Sequence, residues 1–362
     1  MSDYTLRAVR HQLLDIPLIE PFAIATGTQS IAHNVLVAVE LADGTIGWGE
    51  AAPFAAVTGE TQSSTLAALD RLAALLIGQD TRCWRALATS MRAAEKEAAA
   101  ARCALETALL DAWCKRAQLP LWAFFGGTAT EFETDMTITA GSTEHAARSA
   151  LAIRTRGITT IKIKIGGDPR IDLDRIAAVH AAAPAAPLIL DGNCGYGAAE
   201  ACALLDELER RSIPVALFEQ PTARHDWEGL KQVRHWSTVP VAADETVTTA
   251  ADALRAAHED AVTCINIKLM KAGIAEALDI AAICRAAGIQ LMIGGMVETI
   301  LAMTVSAHFA AGLGGFSFVD LDTPMFMAAQ PLRGGFRQSG ACLSVAHVTA
   351  GHGVEPHMPT EG

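Results

Sequence analysis

The chain has 362 residues, of which 51% are hydrophobic, and carries a formal net charge of -12 with a pI near 5.4. That length suits one large or two packed domains with a sizeable core. The acidic balance argues against nucleic acid or an anionic membrane surface as a partner. None of the 8 cysteines forms a C-x-x-C pair, so they read as reduced, mostly buried thiols. The richest apolar run, 181–190, is broken by Pro184 and Pro187, so no membrane span is predicted, and residues 1–12 show no apolar signal segment. The expectation is a cytoplasmic protein.

In chain order, 34–40 and 45–50 are short strand patterns joined through Asp43-Gly44, a hairpin turn signal. Helical patterns follow over 60–77, stopping at Gly78, and over 94–117, with Pro120 beyond. Residues 1–127 thus read as an α+β domain, and Phe124-Phe125-Gly126-Gly127 as the exit from it. From Thr134 onward an apolar strand segment with a polar end alternates with an alanine-rich helical pattern. The strand segments are 135–140, 158–165, 187–191, 214–219, 239–244, 264–268, 289–293 and 316–320. Helical patterns between them include 172–183, 198–211, 274–287 and 299–311, and Ser142 is placed to cap the first barrel helix. A period near 25 residues means βα units on a parallel sheet, and about eight of them suit a closed barrel. The barrel is assigned to 128–337, and the tail of about 338–362 is expected to pack back on the N-terminal domain.

In Ile161-Lys162-Ile163-Lys164-Ile165 a period of two puts both lysines on one strand face. Residues at the C-terminal strand ends of a β/α barrel share one mouth. Successive strands there deliver Lys162 and Lys164, then Asp191, Glu219 and Asp244, then Lys268; the acids are 28 (219 − 191) and 25 (244 − 219) residues apart, one βα unit each. Three converging carboxylates repel unless a cation lies among them, and an all-oxygen set suits Mg²⁺, with Mn²⁺ as a substitute. Lys162 and the ion would lower the pKa of Lys164 and make it a base. Lys268 approaches from the other side of the mouth. Two lysines on opposite faces of one carbon can remove a proton from one side and return it on the other, while the metal binds a substrate carboxylate and stabilises the enediolate. The Asp320-Leu321-Asp322 motif has two readings, a capped turn before Pro324 or a carboxylate pair that binds an ammonium.

The motifs Lys162-Ile163-Lys164, Asp191-Gly192-Asn193, Glu219-Gln220-Pro221, Asp244-Glu245 and Ile267-Lys268 resemble those of the enolase superfamily, in its muconate lactonizing enzyme subgroup. The resemblance spans essentially the whole chain. It implies an N-terminal capping domain, a (β/α)7β TIM-like barrel, a required Mg²⁺, and Lys164 and Lys268 as the acid/base pair with Lys162 assisting. Asp320-Leu321-Asp322 is similar to the Asp-x-Asp with which dipeptide epimerases hold the substrate's α-amino group. An L,L-dipeptide inverted at the α-carbon of its C-terminal residue is then the expected substrate, with no nucleic acid or membrane partner, in a homo-oligomer. Rival reactions through the same enolate are N-acylamino acid racemisation, o-succinylbenzoate synthesis and muconate cycloisomerisation. A non-catalytic barrel that binds amino-acid-like ligands is the rival from another class. Glu298 is placed near the mouth as a substrate-binding residue. Loops 16–30 and 51–60 are expected over the mouth and offer Phe22, Ile24, Thr26, Phe54 and Val57. They carry no basic residue in 25–28, so hydrophobic dipeptides are expected over a C-terminal Glu, with cationic side chains allowed if Glu60 reaches the pocket.

Overall fold

A computed structural model of the protein describes residues 2–24 and 27–357. The chain starts with an antiparallel sheet of β1 (Leu6–Ile24), β2 (Gly27–Leu41) and β3 (Ile46–Ala51). The predicted strands at 34–40 and 45–50 lie within β2 and β3. Of segment 16–30, expected as a loop, residues 16–24 are instead the end of β1 and residues 27–30 the start of β2. The segment's two prolines hide the strand pattern, and the sheet accommodates them in a bulge. Pro17 pairs with Ile31 and the next pair is Phe22 with Gln29, so β1 takes five steps (22 − 17) where β2 takes two (31 − 29).

Five helices follow: α1 (Ala55–Thr58), α2 (Gln62–Leu76), α3 (Trp84–Ala94), α4 (Ala99–Arg116) and α5 (Leu121–Phe124). The predicted helix over 94–117 therefore begins later, and α3 is an element the sequence reading missed. Helix α4 is buried along nearly its whole length. It lies directly on β3 because the strand offers glycine on one face. A Cβ on Gly47 would stand 2.1 Å from Ala108 O, and one on Gly49 2.0 Å from Ala104 O.

The short strand β4 (Glu131–Glu133) precedes the barrel proper, in which strands and helices alternate: β5 (Met136–Ile138), α6 (Thr143–Thr155), β6 (Ile161–Lys164), α7 (Pro169–Ala182), β7 (Leu188–Asp191), α8 (Ala198–Arg210), β8 (Leu217–Glu219), α9 (Trp227–Trp236), β9 (Val241–Ala243), α10 (Ala250–His258), β10 (Cys264–Lys268), the single turn α11 (Leu269–Ala272), α12 (Ile274–Ala287), β11 (Gln290–Gly294), α13 (Ile300–Leu313) and β12 (Phe316–Val319). The eight strands β5 to β12 stand in sequential order in one sheet and every pair is parallel, the (β/α)7β arrangement. Ser142 caps α6 as expected, accepting from His145 N at 3.2 Å. The seam between β12 and β5 is held by Asp135 N to Val319 O at 2.9 Å, Leu321 N to Thr134 Oγ1 at 3.0 Å and Thr137 N to Asp322 Oδ2 at 2.6 Å.

Two buried glutamates of the N-terminal region cap barrel helices. Glu50 on β3 accepts from Thr299 N at 2.9 Å and Ala302 N at 3.1 Å at the start of α13, while Asn34 Nδ2 donates to it at 2.7 Å. Glu106 on α4 accepts from Ala275 N, at the start of α12, at 2.8 Å. In the tail, β13 (Leu332–Gly334) pairs with β16 (Val354–Pro356), and β14 (Arg337–Ser339) with β15 (Cys342–Ser344), which joins β4. His352 then reaches back, its backbone N donating to Asp111 Oδ1 on α4 at 3.0 Å and its Nε2 to Trp48 O on β3 at 3.0 Å. The tail thus touches both β4 and the N-terminal domain.

Candidate active site

The parallel register sets the site. Lys164 pairs with Asp191, and Asp191 with Glu219, so the ends of β6, β7 and β8 finish level. Asp244 follows β9 by one residue and Lys268 ends β10. All six predicted residues are at most 5% exposed. Strands β6 and β10 are four apart in the eight-strand order, so Lys164 and Lys268 face each other across the mouth.

The lysines lie among the carboxylates. Lys162 Nζ is 2.7 Å from Asp320 Oδ2, 3.0 Å from Asp191 Oδ2 and 2.7 Å from Glu219 Oε2. Lys164 Nζ donates to Asp191 Oδ2 at 2.6 Å, and Lys268 Nζ to Asp244 Oδ2 at 2.7 Å. Burial pushes the Asp191 carboxyl up, but Lys162, Lys164 and Lys268 together hold it down to about 2. Burial opposes the charge of Lys268, yet Asp244 and Glu219 raise its pKa above the ordinary lysine value. Among the described residues, one acid trio brings carboxylate oxygens within 4.8 Å of one another: Asp135, Asp320 and Asp322. Asp191, Glu219 and Asp244 stand wider apart; Lys162 bridges the first two, and Lys268 pairs with the third.

The donor chemistry of Asp191, Glu219 and Asp244 nonetheless fits a hard divalent cation: oxygen only, buried, and on three neighbouring strands. Glu219 Oε2 touches Lys162 without an aligned hydrogen bond and has no other partner, leaving a buried lone pair to fill. Its other oxygen is fixed by Asn266 Nδ2 at 2.7 Å. Gln220 ties the end of β8 to the end of β9: its Oε1 accepts from Asp244 N at 2.9 Å, and its Nε2 donates to Thr246 Oγ1 at 2.7 Å.

A small cavity opens beside these groups. It is lined by Phe22, Ile24, Phe54 and Val57, by Lys164 and Lys268, and by Asp320, Asp322 and Thr137. Phe22 lies edge-on to Phe326, with centroids 5.5 Å apart, and its ring is 5.8 Å from Lys164 Nζ. Thr26 lies outside the described residues. Asp322 Oδ2 is taken by Thr137 N, whereas Oδ1 has no partner.

Glu298 does not line this cavity. Its carboxyl turns back to accept from Met296 N at 2.7 Å, and burial pushes its pKa up to about 8. Glu60 also points elsewhere, to Ala100 N at 3.0 Å at the start of α4, so it supplies no charge to the cavity.

Residues 145–360 match the enolase C-terminal domain-like family, and residues 9–126 match the mandelate racemase / muconate lactonizing enzyme N-terminal domain. The chain belongs to this enzyme family. An aromatic dipeptide epimerase from Herpetosiphon aurantiacus is 57% identical over 97% of this chain and 98% of its own length. A crystal structure of a mandelate racemase/muconate lactonizing protein from the same organism superposes with a TM-score of 0.97 at 55% identity, over 99% of this chain and 100% of that one. The dipeptide epimerase from Enterococcus faecalis, complexed with Mg and L-Leu-L-Tyr, superposes with a TM-score of 0.94 at 33% identity, over 97% and 99% of the two chains.

Within this family frame, sequence reasoning missed several polar residues of the site. Asn193 and Glu245 also line the cavity, and both sat inside the quoted motifs. Asn266 shares the strand face of Lys268, two residues away, so the period-two argument that found the lysine pair would have found it. Lys271 lies one helical turn beyond Lys268 and reaches Asp244.

Proposed function

We propose that the protein is a Mg²⁺-dependent dipeptide epimerase that inverts the α-carbon of the C-terminal residue of an L,L-dipeptide and prefers hydrophobic dipeptides. The observation that carries this reading is the pairing of Lys164 and Lys268 across the mouth, with Asp320 and Asp322 in the same cavity. Asp191, Glu219 and Asp244 would hold the metal. When bound, Mg²⁺ supplies a Lewis acid for the substrate carboxylate and lowers the cost of negative charge there.

This chain's residues do the rest. The substrate ammonium sits against Asp320 and the free Oδ1 of Asp322. That fixes the dipeptide by both charged ends and sets its C-terminal α-carbon between the lysines. One lysine, as a neutral amine, takes the α-proton and becomes an ammonium. The opposite lysine, as an ammonium, gives a proton to the other face and becomes an amine. Which of the two acts first depends on the epimer bound. Lys162, ion-paired to Asp191, Glu219 and Asp320, links the metal end to the ammonium end.

The apolar wall of Phe22, Ile24, Phe54 and Val57 favours an apolar side chain and leaves a carboxylate side chain without a partner. Among the described residues, no helix is long and apolar enough to cross a membrane. All eight cysteines are free, which supports a reducing, cytoplasmic setting. Exposed Leu13, Ile19 and Ile31 on the β1–β2 hairpin support a homo-oligomer. The test is a panel of L,L-dipeptides and N-acetylamino acids incubated with enzyme and Mg²⁺, then resolved by chiral chromatography. The reading expects L,D products from apolar dipeptides, at least about tenfold less efficient turnover of L-Ala-L-Glu, and none from N-acetylamino acids. Turnover of N-acetylamino acids but of no dipeptide would transfer the assignment to a racemase.

A further inference from the structure

Asp244 is gripped on both oxygens, by two lysines that differ in how they are held. Lys268 Nζ meets Oδ2 and makes no other hydrogen bond among the described residues. Lys271 Nζ meets Oδ1 and is anchored as well by three backbone carbonyls: Asp244 O at 2.5 Å, Asn266 O at 3.2 Å and Val247 O at 3.4 Å. Lys271 is 6% exposed. The sequence explains the geometry. Lys268 ends β10 and α11 begins at the next residue, so three positions on, the chain has turned and Lys271 approaches Asp244 from outside the barrel mouth. It lines the separate cavity beside Arg224 and Thr248, and not the one that holds Lys164 and Lys268.

We propose that Lys271 is a positioning residue that permanently occupies Oδ1 of Asp244, so that this carboxylate offers a bound cation one oxygen. Lys268 has a single bond to give up and can turn to the substrate. Lys271 has four acceptors arranged around one ammonium and stays. A carboxylate held by one oxygen suits Mg²⁺, which demands near-octahedral geometry. Ca²⁺ readily takes both oxygens of a carboxylate and a larger ligand number. Lys271 therefore sets metal selectivity as well as the orientation of Asp244, and it does so without touching the substrate.

The inference rests on Asp244 being a metal ligand, and the experiment separates the two claims. Mg²⁺ and Ca²⁺ are each titrated calorimetrically into wild type, K271M, K271Q and D244N, with circular dichroism to confirm folding. D244N is expected to lose Mg²⁺ affinity, and unchanged binding there would overturn the ligand assignment itself. K271M is expected to weaken Mg²⁺ by about 10- to 100-fold, the usual effect of removing a group that orients a metal ligand, and to weaken Ca²⁺ much less, so that the Ca²⁺ to Mg²⁺ affinity ratio rises. K271Q keeps a shorter donor and should fall between K271M and wild type. A merely structural role would lower both affinities together. A folded K271M with the wild-type ratio overturns the proposal. If K271M does not fold, K271Q decides alone, and a wild-type ratio in that variant overturns it.

Discussion

Lys164 and Asp191 share a hydrogen bond of 2.6 Å at the adjoining ends of β6 and β7. The residue assigned as base and a residue assigned to the metal are thus each other's partners, and Lys164 must leave Asp191 to reach a substrate. Removing the lysine takes away the base but leaves the carboxylate available. K164A is therefore expected to lose about 10²- to 10⁴-fold in epimerisation while binding Mg²⁺ at least as tightly as wild type in a calorimetric titration. K268A should behave the same way. Full activity in either variant would end the two-base account.

Asp191, Glu219 and Asp244 are buried together and offer only oxygen. Dialysis against a chelator should abolish turnover, and Mg²⁺ or Mn²⁺ should restore it. Epimerisation that survives complete chelation, checked by elemental analysis, would show that the acids serve some other purpose.

Asp322 has one oxygen in the barrel seam and one without a partner. D322N keeps an acceptor for Thr137 N but removes the charge. A lost charge-assisted contact is worth roughly 1.5–3 kcal/mol, so kcat/KM for dipeptides should fall by about 10- to 100-fold. Discrimination against N-acetylated dipeptides should shrink as well. If the wild-type preference for a free amine persists in D322N, the ammonium is held elsewhere.

Glu50 ties the N-terminal sheet to α13 through Thr299 and Ala302. In E50A these buried backbone donors and the Asn34 amide lose their acceptor. The expected destabilisation is about 2–4 kcal/mol, read as a lower urea midpoint. An unchanged midpoint would show that this contact does not hold the two parts together.

His308 is buried on α13, with Trp122 N donating to its Nδ1 at 2.9 Å and its Nε2 facing His352 O at 3.2 Å. That arrangement requires a neutral ring. Burial first, then His352, pulls its pKa down to about 3. Nearby His352 is likewise lowered by burial, against the charge of Asp111. A group whose folded pKa lies below its unfolded value contributes stability that is complete above the unfolded pKa, near 6.5 for histidine. That stability is lost as pH falls toward the folded pKa. The loss for His308 alone approaches about 1.4 kcal/mol per pH unit below 6.5. The urea midpoint should drop between pH 7.5 and 5.5, and less so in H308Q. Equal drops in the two proteins would remove His308 from the cause.

The barrel was legible because most of its strands are buried on both faces and β6, β7, β8 and β10 end in a charged residue. The strand over 264–268 was read to the residue, and the others to within a few positions. The candidate cluster was legible in outline because the barrel places a one-unit spacing of Asp191, Glu219 and Asp244 on three neighbouring strands. Strand β1 was not legible, since Pro17 and Pro21 imitate a loop and only pairing with β2 overrides them. Glu298 was misplaced because sequence fixes where a strand ends and not where the following carboxyl turns. Lys271 went unseen because a one-turn helix after Lys268 changes the period from two to three, bringing it to Asp244 from the outer side.

The central claim is proton removal and return at one carbon of a dipeptide, and isotope exchange tests it most directly. Apolar L,L-dipeptides are incubated in D₂O with enzyme and Mg²⁺, and the products are read by mass spectrometry and NMR. The account predicts one deuterium per molecule, at the α-carbon of the C-terminal residue, appearing together with the L,D epimer; neither K164A nor K268A forms the L,D epimer, and the variant that keeps the lysine on the side of the L-residue's α-proton exchanges deuterium without inversion. A panel in which no dipeptide acquires deuterium at that carbon would contradict it.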